Sequence, residues 1–241
     1  MIPQRSISRI SNTLAERGGR RVVESVIERD YCLAWFLCGL AGHPLRDALA
    51  FKGGTCLRRC WFADYRFSED LDFTLTRDTP FSQIREGLDE IFAAIEGACG
   101  MRMVFDREDR QSHRNAHTFY LRYRGPLPAE NDVKVDVTIT ERLCFPLKDR
   151  PILRSYDEYD DLPQGPTVRV YSLEEIVLEK LVALSDRARN SSVCSGMCSG
   201  HCVRRNCHPR RNDRRVTHAS LISPGSSIPT RVERQSPCPP R

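Results

Sequence analysis

Lysine is scarce in this 241-residue sequence, and long apolar runs are absent from it. Only four of the 37 basic residues are lysines (Lys52, Lys134, Lys148 and Lys180), so each lysine is a candidate for a specific role. The longest apolar run, residues 31–41, falls short of the roughly 18 residues that a membrane span needs. The first residues also lack the apolar core of a secretory signal. We therefore exclude an integral membrane protein and expect a cytoplasmic one.

Several familiar chemical signatures are also missing from the sequence. It contains no Gly-x-Ser-x-Gly, no Walker A motif and no dinucleotide fingerprint. The eleven cysteines are an odd number, and those before residue 190 have no repeated spacing. Without a secretory signal, this pattern predicts reduced thiols rather than a disulfide framework.

The basic net charge of +5 comes from the last 51 residues. Segment 191–241 has nine arginines, no lysine and two acids, and it is rich in Ser, Pro and Cys. This composition predicts disorder. We favour a shifted reading frame or decayed gene end as its origin. The alternatives are a basic arm that binds RNA and a zinc site, whose ligands would come from Cys194, Cys198, His201, Cys202, Cys207 and His208.

Before residue 190, hydrophobic periodicity predicts alternating helices and strands, and hence an α/β (α+β) fold. The predicted helices cover residues 20–41, 56–62, 82–99 and 172–189. The predicted strands cover residues 66–75, 101–106, 118–124, 132–139 and 167–170.

Asp70 and Asp72 are the strongest chemical feature of the sequence. They alternate with Leu71 and Phe73, so both carboxylates project from one face of a strand, roughly 7 Å apart at their Cα atoms. Two like charges so placed favour a bound cation, and Mg²⁺ prefers carboxylate oxygens. The alternative is a pair of solvated acids on an exposed strand.

Two further features support the interpretation of a phosphoryl-transfer site. Gly53, Gly54 and Thr55 form a predicted turn into a helix, where backbone N–H groups can approach a phosphate. Asp136 lies on the polar face of a second alternating strand, so three carboxylates on neighbouring strands fit a two-metal site. Taken alone, the segment Gly53-Gly54-Thr55 would be an ordinary turn, and Asp136 would be a surface acid.

Lys180 lies within the apolar stripe that Leu173, Val177, Leu181 and Leu184 form on their helix. A lysine on a buried face needs an anionic partner, and a triphosphate would serve. Alternatively, the lysine lies at the edge of the core with its amine in solvent.

These motifs together resemble the AbiEii/AbiGii toxin family, the nucleotidyltransferase-like toxins of type IV toxin–antitoxin and abortive-infection (phage defence) systems. The resemblance covers roughly residues 1–190. It rests on the entry helix at 28–31, on Phe51-Lys52-Gly53-Gly54-Thr55-Cys56-Leu57, on Arg66-Phe67-Ser68-Glu69-Asp70-Leu71-Asp72-Phe73, on residues 133–137 and on residues 173–181.

The resemblance implies a polymerase-β-like nucleotidyltransferase fold, with a mixed sheet, flanking helices and a helical C-terminal part. It also implies Mg²⁺, an NTP donor, an RNA acceptor of the tRNA class and a cognate antitoxin. By the same resemblance, Asp70, Asp72 and Asp136 form the metal-binding and catalytic set, and Lys180 contacts phosphate. The implied nucleotide-binding residues are Lys52, Gly53, Gly54, Thr55, Arg66 and Ser68.

We predict a nucleotidyltransferase-like domain over residues 1–190, followed by the 191–241 tail. The domain divides into a helical lead-in (1–50), a catalytic core (51–171) and a lysine-bearing helix (172–190). The sequence departs from the family after this helix, because the expected Arg-Asp-x-x-Asp-like motif is absent. Two alternatives therefore stay open: a catalytically impaired remnant that binds RNA or a partner, and a nucleotidyltransferase that modifies a small molecule such as an antibiotic.

Overall fold

The computed structural model describes residues 1–17, 21–109 and 115–195, which build a seven-stranded sheet with helices packed against it. The helices are α1 (Gln4–Glu16), α2 (Glu24–Ala41), α3 (Gly53–Cys56, continued by a π-helical turn over Leu57–Trp61), α4 (Phe81–Cys99) and α5 (Leu173–Ser195), with a 3₁₀ turn at Pro44–Asp47. The strands are β1 (Leu49–Lys52), β2 (Leu71–Leu75), β3 (Arg102–Glu108), β4 (Ala116–Arg124), β5 (Asn131–Thr138), β6 (Lys148–Pro151) and β7 (Thr167–Val170).

The sheet is mixed, and its strand order is β3-β4-β5-β2-β1-β7-β6. β2 runs parallel to β5 and β1 runs parallel to β7, whereas the other neighbouring pairs are antiparallel. The predicted class, an α/β fold with a mixed sheet and flanking helices, is confirmed. The central strands β1, β2 and β5 carry three residues of the predicted site, namely Lys52, Asp72 and Asp136.

One face of the central strands packs against helices. Phe73 of β2 lies edge-on to Phe36 of α2 and beside Phe51 of β1. The apolar side of α4, including Leu88 and Ile91, is also fully buried in this core. Because side chains alternate along a strand, the opposite face of β2 and β5 carries their polar residues.

A buried ion cluster attaches α2 to the segment that follows β1. Asp30 of α2 pairs with Arg58 and Arg59, and these three side chains are almost fully buried. Arg58 also donates to the carbonyls of Ala63 and Tyr65. These bonds hold the chain in an irregular path before β2, so the strand begins at Leu71 rather than at residue 66 as predicted.

The structure also adds elements that periodicity did not predict, namely α1, β1 and β6. Helix α5 extends to Ser195, so the first five residues of the segment predicted to be disordered are helical. Residues 196–241, with most of the predicted zinc ligands, lie outside the described residues, and the predicted domain boundaries stay predictions. Within the described ranges, six cysteines are free thiols, and no helix is long and apolar enough to cross a membrane.

Candidate functional site

Three of the predicted site residues lie side by side on the polar face of the sheet. Asp72 on β2 is directly opposite Lys52 on β1 and directly opposite Asp136 on β5. Neighbouring strands are about 4.8 Å apart, so this register brings an ammonium group and two carboxylates onto one small area.

The glycine turn lies against the Asp72 carboxylate. Gly53 has φ +79°, a conformation that L side chains rarely adopt, and a Cβ there would stand 3.0 Å from Asp72 Cγ and closer still to Oδ2. At Gly54, a Cβ would stand 2.7 Å from Ser68 Oγ and 3.8 Å from a terminal nitrogen of Arg66. The two glycines therefore allow the backbone to approach the acidic strand and the loop before it.

Thr55 connects this turn to the Asp70 segment. Its side chain is buried, and its hydroxyl donates to the Asp70 carbonyl over 2.5 Å. The hydroxyl therefore holds two parts of the site together. Phosphate binding by Thr55, as the resemblance implies, would come from its backbone N–H.

Asp70 and Asp72 carry negative charge that nearby cations only partly offset. Burial raises the pKa of Asp70, and the charge of Asp136 raises it further, although Lys134 acts in the opposite direction. Burial, Asp136 and Asp70 together raise the pKa of Asp72. A divalent cation would relieve this crowding, and carboxylate oxygens are the ligands that Mg²⁺ prefers. The donor set therefore fits the implied metal.

Asp136 is adjacent to the pair but already has partners. Thr118 donates to its Oδ1 over 2.6 Å, and Lys134 donates to its Oδ2 over 2.6 Å. Within the described part of the chain, no group of three or more His, Cys, Asp or Glu residues is arranged to hold a metal ion. Of the three predicted metal ligands, Asp136 is thus the one whose carboxylate is engaged by described side chains, and metal binding by Asp70, Asp72 and Asp136 stays a prediction.

Lys52 is held by two glutamates that the sequence analysis did not identify. Its ammonium nitrogen lies 2.6 Å from Glu141 Oε2 and 2.9 Å from Glu179 Oε1. Glu141 lies in the irregular segment after β5, and Glu179 lies on α5. The only available signal was the scarcity of lysine, which marked Lys52 but could not indicate its partners.

The stripe that contains Lys180 is exposed, so the prediction that Lys180 lies on a buried face is wrong, and its amine is open to solvent as in the alternative. Lys180 is exposed, and so are Val177, Leu181 and Leu184. Successive helical residues differ by about 100° in direction, and α5 directs Glu179 rather than Lys180 towards the sheet. No described residue covers the stripe, and the role of Lys180 in phosphate binding stays a prediction.

The mixed sheet, the glycine turn and the paired aspartates are the arrangement that we expect of a nucleotidyltransferase. The family profile described as "Nucleotidyl transferase AbiEii toxin, Type IV TA system" matches residues 35–194, and the chain belongs to this family. Among curated protein sequences, none matches the chain.

A solved structure supports the fold independently. MenT4, a nucleotidyltransferase toxin from Mycobacterium tuberculosis H37Rv, superposes with a TM-score of 0.53 at 22% sequence identity. The match covers 75% of this chain and 58% of the MenT4 chain. At this sequence identity the similarity establishes a shared fold. The match spans little more than half of the length of MenT4.

Proposed function

We propose that this protein is a Mg²⁺-dependent nucleotidyltransferase that transfers a nucleotide from an NTP to a hydroxyl group of an RNA acceptor. The observation that carries the proposal is the position of Asp72. It lies between Lys52 and Asp136 across the sheet, and the Gly53 backbone rests against its carboxylate. This arrangement supports the proposal, because the turn would bind a phosphate next to an acid that would bind the cation.

Each part of the site has a chemical role in such a transfer. Asp70 and Asp72 would hold Mg²⁺, which supplies electrostatic stabilisation of the charge that develops on the phosphate and on leaving pyrophosphate. The backbone N–H groups of 53–55 would bind the triphosphate, with Arg66 and Ser68 beside Gly54. Asp136 would orient the acceptor hydroxyl or accept its proton.

The cellular role follows from the family and belongs to the same proposal. We infer a cytoplasmic toxin that a cognate antitoxin neutralises, acting in abortive infection against phage, with an acceptor of the tRNA class. Membership of the AbiEii family supports the toxin role. The acceptor class and the antitoxin rest on the family resemblance alone.

Label transfer tests the proposal directly. Each of the four NTPs, radiolabelled at the α-phosphate, is incubated with the protein, total RNA and Mg²⁺. We expect one NTP to label RNA, and we expect loss of labelling in Asp70→Ala. Asp78→Ala is the matched control, since Asp78 is an exposed acid outside the site, and it should label RNA normally.

Three results would contradict the proposal or a part of it. Equal labelling by wild type and Asp70→Ala would reject the site. No labelling, under conditions where a longer family member labels RNA, would reject the activity and favour an impaired remnant. Labelling of an aminoglycoside but not of RNA would instead identify a small-molecule acceptor.

A further inference from the structure

Glu141 joins three elements of the candidate site through a single oxygen atom. Its Oε2 accepts from Lys52 Nζ over 2.6 Å, from Thr74 Oγ1 over 2.9 Å and from Tyr171 Oη over 2.9 Å. The Thr74 and Tyr171 hydroxyl oxygens lie 2.7 Å apart, so either hydroxyl can donate to the other in place of its bond to Glu141. Lys52 ends β1, Thr74 lies two residues after Asp72 on the same face of β2, and Tyr171 directly follows β7.

The second glutamate on Lys52 is attached differently. Glu179 contacts the ammonium group over 2.9 Å, but neither Thr74 nor Tyr171 donates to it. Thr74 is buried and Tyr171 is fully buried, so the hydroxyls that bind Glu141 have little freedom to move. Glu141 is thus the rigid partner of Lys52, and Glu179 is the replaceable one.

The charge distribution agrees with this difference. Burial raises the pKa of Glu141, but the hydrogen bond and charge of Lys52, together with the hydrogen bonds from Tyr171 and Thr74, lower it overall. Burial and the neighbouring Glu141 carboxylate raise the pKa of Glu179 overall, although Lys52 acts in the opposite direction. Of the two glutamates, Glu141 is therefore the one whose ionised form is favoured by its surroundings.

We propose that Glu141 is a positioning residue that holds the Lys52 ammonium beside Asp72, where it assists binding of the nucleotide's triphosphate. Glu141 itself does not touch the nucleotide. It acts through Lys52, and its bonds to Thr74 and Tyr171 set where that lysine can reach. This inference rests on the proposed function, because it assumes that the site binds an NTP.

A double-mutant cycle on nucleotide binding tests the coupling. Equilibrium binding of a fluorescent, non-hydrolysable NTP analogue with Mg²⁺ is compared for wild type, Glu141→Ala, Lys52→Ala and the double variant. We expect each single variant to weaken binding about tenfold, a loss typical of one charged hydrogen bond. The double variant should bind no more weakly than Lys52→Ala. Additive losses would overturn the proposal.

Two matched variants separate positioning from charge and from folding. Glu179→Gln also removes a carboxylate from Lys52 but leaves the Thr74 and Tyr171 contacts, so it should weaken binding far less. Glu141→Gln keeps an acceptor oxygen and should restore much of the binding lost in Glu141→Ala. Equal losses in Glu179→Gln and Glu141→Ala would show that only the total charge matters, which contradicts the proposal.

A chemical readout keeps the inference testable even if no NTP binds. With four lysines in the chain, reductive methylation can be followed at each lysine by mass spectrometry. Lys52 should be protected in wild type and in Glu179→Gln but reactive in Glu141→Ala, with exposed Lys148 and Lys180 as internal references. Unchanged protection in Glu141→Ala would refute the role of Glu141. Absence of NTP binding by wild type would instead refute the proposed function.

Discussion

Replacing Gly53 with alanine tests whether the glycine turn rests against Asp72 in the working protein. The chain offers a matched control, because Gly53 and Gly100 have nearly the same positive φ, +79° and +76°. A Cβ at Gly100, the residue that ends α4, would meet no atom within 4 Å. Gly100→Ala therefore carries only the backbone cost, whereas Gly53→Ala carries that cost and the collision with Asp72.

The two costs can be estimated separately. An L residue in the left-handed region loses about 1–2 kcal/mol. In a domain of this size each kcal/mol lowers Tm by about 2–4 °C. We expect this loss alone for Gly100→Ala, with normal nucleotidyl transfer. In Gly53→Ala, either the turn or the Asp72 carboxylate has to move, and a misplacement of about 1 Å in an active site costs about a hundredfold in rate.

Thermal unfolding and label transfer, measured on both variants, decide the matter. Gly53→Ala should unfold at a lower temperature than Gly100→Ala and should lose at least about a hundredfold in transfer rate. If the two variants have the same Tm and the same transfer rate, the Gly53 backbone does not rest against Asp72. The geometric basis of the site would then be wrong.

Three further predictions concern stability and solubility. Asp30→Asn removes the anion that faces the buried guanidinium groups of Arg58 and Arg59. The free energy of unfolding, measured in urea, should fall by about 3–5 kcal/mol. A fall below about 1 kcal/mol would contradict the ion cluster. Burial raises the pKa of Glu28 above its usual 4.5, so the folded state takes up a proton more readily than the unfolded chain. The free energy of unfolding should therefore fall as pH rises from 4.5 through the folded-state pKa, and urea titrations of Glu28→Gln should lack this contribution to the slope. Val177 and Leu181 of the α5 apolar stripe are 57% and 55% exposed. Changing both to serine should therefore reduce aggregation, measured by light scattering, and should change the free energy of unfolding by less than about 0.5 kcal/mol per site. A large destabilisation would show that the stripe is covered.

The strands of the site could be predicted because their two faces meet different surroundings. In β5, Val133, Val135 and Val137 enter the core while Lys134 and Asp136 face outwards, and the same alternation marks β2. β1 lacks this signal, since its first three residues are all buried and only Lys52 is partly exposed. A four-residue strand without alternation is indistinguishable from the end of a loop in the sequence.

The partners of Lys52 were beyond sequence reasoning for a different reason. Glu141 and Glu179 are 89 and 127 positions away along the chain. Local periodicity determines which face a residue occupies, but it carries no information about which distant segment meets that face. The prediction for Lys180 was wrong for the same reason. Which residue of α5 faces the sheet depends on how the helix packs, and in the structure that residue is Glu179.

The charges of the site lead to an expectation about how a nucleotide would bind. Both lysines on this face are already engaged, Lys134 by Asp136 and Lys52 by two glutamates. Asp70 and Asp72 make no ion pair with any described residue, and a triphosphate approaching the glycine turn would meet their negative charge directly. Nucleotide affinity should therefore depend steeply on a divalent cation, and removal of the cation by a chelator should abolish binding rather than merely slow the transfer. Binding that persists in the chelator would mean that cationic side chains, Lys52 and Arg66 among them, neutralise the phosphates without a divalent cation.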